Sequence, residues 1–149
     1  MLLIIIAVIA IALYPIQQLI TSSTNLSEES IEPFSLHTTL NEEALRSIGE
    51  FERSIQPNGY GYQSENYYVH TNDDHEITSI SISEELQTSS GIHIGDSVED
   101  LVDVYGDDYY TYQEMGLGDA IVYIDRDHTI KLTLWTMDDH VQYIWLSTY

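Results

Sequence analysis

Apolar positions along the chain fall into three patterns. From Leu2 to Leu13 they form an unbroken run, which Ile16, Leu19 and Ile20 extend past Tyr14 and Pro15. About 20 helical residues cover the ~30 Å hydrocarbon layer of a bilayer, so residues 1–20 are predicted to be a transmembrane anchor. Ala10-Ile11-Ala12 has the form of a signal-cleavage site, but no basic segment precedes it. Residues 21–33 are mainly Ser, Thr and Glu and end in Pro33, the pattern of a flexible polar tether. Residues 34–149 mix helical and strand periodicity and are predicted to form one domain.

Within that domain, Thr39-Leu40-Asn41-Glu42 has the form of a capping box. Ala44, Ile48, Phe51 and Ile55 then recur at helical spacing up to Pro57. A second helix is predicted to open at Asp96-Ser97. It carries Val98, Leu101, Val102 and Tyr105 as its apolar stripe and ends at Gly106. Alternating stretches follow each helix: 60–63, 67–71 and 77–83 after the first, then 109–113, 119–124, 129–136 and 141–147 after the second. Turns rich in Asp, Asn and His separate them. Val69 to His75 aligns with Leu134 to His140, so the halves read as a duplication over about 34–86 and 91–149. The expected fold class is α+β: an N-terminal transmembrane helix, then two helix-plus-antiparallel-meander repeats with the helices packed on one sheet face.

Gly91-Ile92-His93-Ile94-Gly95-Asp96-Ser97-Val98, running on to Tyr105-Gly106, together with the later strand, acidic turn and Val-x-x-Ile strand, resembles a known tandem repeat. It is similar to the repeat of the β-lactamase-inhibitory-protein and small outer-membrane-assembly-lipoprotein superfamily. That resemblance implies no catalytic residues and a sheet face used for protein contact.

Composition narrows the partners. Four basic residues face 25 acidic ones, a formal charge of −21, which repels nucleic acid. The expected partners are the membrane, through residues 1–20, and another protein, with a basic surface suiting the charge. The acidic domain is expected outside the cytoplasm of a single-pass cell-membrane protein, since the membrane potential favours its outward transfer. Cysteine is absent, so neither disulfides nor thiolate metal sites are available. No cofactor or metal is expected. The Asp125, Asp127 and Thr129 alternation lacks the glycine and terminal glutamate of a calcium loop.

Strand alternation assigns Ile130, Leu132, Leu134, Ile144 and Leu146 to one sheet face, and Lys131, Thr133, Trp135, Val141, Tyr143 and Trp145 to the other. The candidate binding patch is Tyr123, Lys131, Trp135, Tyr143 and Trp145, because aromatic anchors on an open sheet suit a binding hot spot. In the first repeat, Ser79 and Ser81 match Tyr143 and Trp145. A non-catalytic interaction or inhibitory module is the expected function, with a surface domain lacking a dedicated ligand as the alternative. A small serine hydrolase using Ser97 and His128 is a remote third, since helix capping already explains Asp96 and Ser97.

Overall fold

The computed structural model describes residues 16–84 and 86–149. Eight antiparallel strands make one sheet in the order β1-β2-β3-β4-β8-β7-β6-β5. They are β1 (Glu52–Gln56), β2 (Gly59–Gln63), β3 (Tyr67–Thr71), β4 (Ile77–Ile82), β5 (Tyr110–Glu114), β6 (Gly118–Asp125), β7 (Ile130–Met137) and β8 (His140–Thr148). Each half is a meander, and the two join where β4 pairs with β8, setting Ser81 opposite Trp145 and Ile80 opposite Leu146. Besides helical residues 16–20, the described residues form two short helices, α1 (Glu42–Ser47) and α2 (Val98–Tyr105).

This architecture corrects the expected α+β class. The sheet dominates, and each helix buries only one residue, Leu45 or Leu101. The first helix was expected to reach Ile55 but stops at Ser47. Gly49 takes φ 92°, and residues 52–56 become edge strand β1, leaving Ile55 85% exposed. The capping box also shifts: Asn41, not Thr39, caps α1 by accepting the Ala44 N–H. α2 follows its pattern closely, with Ser97 and Asp100 forming a reciprocal capping box and Gly106 as C-cap.

The anchor prediction is also corrected. Residues 1–15 of that segment lie outside the described residues. Residues 16–20 are helical, and among the described residues no helix is long and apolar enough to cross a membrane. The expectation of a single-pass cell-membrane protein with its domain outside the cytoplasm is withdrawn on that finding. Residues 16–20 are instead fastened to the sheet. The Arg126 guanidinium donates to the Gln18 and Leu19 carbonyls at 2.8 and 3.2 Å, where carbonyls at a helix end lack partners.

Residues 21–33, expected as a flexible tether, are built into the domain. Thr24 N–H donates to the Ile124 carbonyl, and Leu26 N–H to the Asp125 carboxylate. Leu26 and Ile31 are each 1% exposed, as is Phe34 just beyond them. Buried Glu29 accepts hydrogen bonds from the Ser89 and Ser90 hydroxyls at 2.8 and 2.6 Å, tying the segment to the loop before α2. This segment, more than the helices, closes one face of the sheet over Val69, Ile80, Tyr123, Leu132, Leu134, Ile144 and Leu146.

Candidate binding face

On the opposite face Gln18 and Leu19 lie beside Ile124 at the β6–β7 end, and no other described segment packs over it. Its cross-strand register runs Val122, Thr133, Trp145, Ser81, Tyr68 and Gln63, strand by strand from β6 to β2. On the β5–β8 half these positions are aromatic and aliphatic. Tyr110, Ala120, Val122, Ile124 and Trp135 form a second buried cluster, flanked by half-buried Tyr112, Tyr143 and Trp145. On the β1–β4 half they are mostly small or polar, including Ser54, Gly61, His70 and Ser81, with Tyr68 among them.

The aromatic rings are organised by one another. Trp135 stacks on Trp145 at 5.9 Å between centroids and 14° between planes, and meets Tyr143 at 5.5 Å. Such pairs add about 0.5–1.5 kcal/mol beyond the area they bury. The polar tips of Trp135 and Tyr143 each have a partner. Trp135 Nε1 donates to Glu114 Oε2 at 3.2 Å, and the Tyr143 hydroxyl donates to Ser81 Oγ at 2.6 Å. Ser81, across the central seam from Trp145, is small enough to leave room for the ring and polar enough to hold Tyr143.

Lys131, the single lysine of the chain, lies half-buried on this face with its ammonium 5.9 Å from the Trp145 ring centroid. Among the described residues no carboxylate comes within ion-pair distance of it. Burial lowers its pKa from the ordinary lysine value.

Of the candidate patch, the structure brings Lys131, Trp135, Tyr143 and Trp145 together and removes Tyr123. Tyr123 pairs with Leu132 and points into the closed face, fully buried between Tyr105 and Tyr109. Its hydroxyl donates to the Gly106 carbonyl at 3.0 Å, and burial pushes its pKa up, so it stays protonated. Val141 also changes face. A register shift between Trp135 and Thr136 leaves Gln142 as an extra residue, returning Val141 to the closed-face core.

Ser97 and His128 lie at opposite ends of β7. Ser97 bridges to His140, just past the end of that strand, whereas His128 precedes its start. Eight residues of strand, about 25 Å, separate those ends. The Ser97 hydroxyl is committed to Asp100 Oδ2 at 2.6 Å. The His128 Nδ1–H instead donates to Asp125 Oδ2 at 2.9 Å.

Asp125 is nearly inaccessible, and both its oxygens are engaged, by the Leu26, Asp127 and His128 N–H groups and the His128 ring. Burial opposes its ionisation, but the bonds from Leu26 and His128 outweigh burial and hold the carboxyl below its ordinary pKa. Its role is to clamp residues 24–26 to the β6–β7 turn. Among the described residues no three His, Asp or Glu side chains are arranged to hold a metal ion.

One surface escaped the sequence reading. The β5–β6 and β7–β8 turns lie side by side and enclose an open cleft of about 620 Å³ at one end of the aromatic band. Glu114, Asp119, Asp138, Met115 and Met137 line it. These residues are scattered in sequence, and only the β6–β7 register gathers them. Comparison with protein-family models, curated proteins and solved structures finds no match for this chain.

Proposed function

We propose that this protein is a non-catalytic interaction module whose protein ligand seats on the open sheet face around Trp135, Tyr143 and Trp145. The observation supporting this reading is the contrast between the faces. One is covered by residues 26–36, α1 and α2, whereas the other carries two stacked tryptophans with no described segment over them. Half-buried aromatic side chains on a rigid sheet give large contact area at little entropic cost, which suits a hot spot. The polar tips of Trp135 and Tyr143 are held by Glu114 and Ser81, and Trp145 stacks on Trp135, so the rings are ordered before any ligand arrives.

The near-complete burial of Trp135, at 3% exposure, favours a second reading in which the cluster only stiffens the sheet. Capture from cell extract with wild-type chain and with Trp145→Ser separates the two. A protein retained by the wild type and lost by a folded Trp145→Ser supports binding. Equal retention by both overturns it.

A further inference from the structure

The aromatic face is electrically polar along β7. Lys131 stands near one end, and the cleft between the two hairpin turns stands at the other. Six residue steps along β7 separate Lys131 from Met137, about 20 Å at about 3.3 Å per step. The cleft carries three carboxylates, Glu114, Asp119 and Asp138, and no lysine or arginine lines it. It is continuous with the aromatic band, because Glu114 Oε2 accepts the Trp135 indole N–H.

Local backbone geometry builds this cleft. Gly118, at φ 94°, lies so close to the Thr136 carbonyl that any Cβ there would run into it, which brings the two turns together. Asp138 and Asp139, at φ 52° and 62°, form the tight left-handed turn opposite. Two methionines stand out from the rims, Met115 fully exposed and Met137 54% exposed. Methionine is flexible and polarizable, and adapts to the aliphatic stems of long side chains.

We propose that the ligand is a basic amphipathic polypeptide segment: its apolar side chains lie on Trp135, Tyr143 and Trp145, and its lysine or arginine enters the cleft among Glu114, Asp119 and Asp138. This rests on the reading of the face as a binding surface. Carboxylate acceptors give the cation charge-assisted hydrogen bonds, and Met115 and Met137 cover its stem. Lys131 repels a cation at the far end, so the charge pattern orients the segment along β7.

The test titrates the full chain, followed by tryptophan emission, with three synthetic peptides. They share one alternating apolar pattern and carry lysine, glutamine or glutamate at the polar positions. At low salt the lysine peptide is expected to bind at least about tenfold tighter than the glutamine peptide, and the glutamate peptide more weakly than either. Glu114→Gln combined with Asp119→Asn and Asp138→Asn should remove most of that advantage. A control with Glu43→Gln, Asp73→Asn and Asp74→Asn should cost less than about twofold, as expected for exposed, screened charges.

Equal losses in both triple variants would mean attraction to overall negative charge alone and overturn the proposal. So would equal binding of the lysine and glutamine peptides. If Trp145→Ser still abolished that equal binding, the face itself would stand as the binding surface. Lysine-peptide binding that needs the cleft carboxylates but ignores Trp145→Ser would defeat the binding-face reading and the proposal with it. Self-association of the chain that Trp145→Ser abolishes, with no peptide competing, would assign the face to a second copy instead.

Discussion

Tyr123 and Trp135 lie on neighbouring strands and are almost equally inaccessible, 0% and 3% exposed, yet they are buried by different means. Tyr123 lies under other parts of the chain: α2, through Tyr105, and the stretch after it, through Tyr109 and Gly106. Trp135 is covered by its own sheet neighbours, Trp145, Tyr143 and the residues of β5 and β6. Burial on the closed face therefore depends on the fold as a whole. On the open face it depends on two or three side chains, any of which a partner can contact. The first arrangement carries stability and the second presents a surface.

The largest expected effect comes from breaking the closed face. Tyr123→Ala should cost about 3–5 kcal/mol in a urea unfolding curve, the usual range for deleting a buried aromatic side chain. An effect below that of Trp145→Ser would reverse the comparison between the faces.

Next comes the clamp that holds the cover in place. Asp125→Ala leaves buried N–H donors without acceptors and should cost about 2–3 kcal/mol. The folded-state pKa of Asp125 lies below its ordinary value, so its ionisation contributes stability above the unfolded pKa, about 4. That contribution should be lost as pH falls through the folded value. The stability gap between wild type and Asp125→Asn should therefore be full at pH 7 and shrink below about pH 4. A gap that widens on acidification would contradict this role.

Trp145→Ser should cost less, about 1–2 kcal/mol, made of a half-buried ring and its aromatic pairs. Serine there copies its own cross-strand neighbour, Ser81. The chain has only two tryptophans, so emission from this variant reports Trp135 alone. That emission should shift to the red and quench more readily with acrylamide, because Trp145 is part of its cover. An unchanged spectrum would mean that something else shields Trp135.

The smallest effect is expected at Arg46. Its contact with Glu42 is between exposed side chains, and Arg46→Ala should stay within about 0.5 kcal/mol.

These residues also show what the sequence could and could not reveal. The second helix was legible because its cap, stripe and terminal glycine agree over residues 97–106. Most strands followed from alternation. Tyr123 was misplaced because β6 is apolar at every position from Ala120 to Ile124, so periodicity carries no direction there and only pairing with β7 does. Val141 was misplaced by one bulge residue, which inverts the alternation beyond it. A matching irregularity between His70 and Thr71 in β3 was equally invisible.

Residues 21–33 looked like a tether because Leu26 and Ile31 are isolated among polar neighbours. Their burial comes from long-range contacts, including a carboxylate 99 residues away. The cleft was missed for the same reason, since its carboxylates belong to two separate hairpins.

The central claim is that the described residues cover one sheet face and leave the aromatic band of the other open. Hydroxyl-radical labelling of the native full-length protein, read residue by residue by mass spectrometry, tests it most directly. Trp145, Tyr143 and Met115 should be modified readily, while Tyr123, Phe34 and Leu132 stay protected until the protein unfolds. Trp145 and Tyr143 protected as fully as Tyr123 would show that the aromatic face is covered and is not a binding surface.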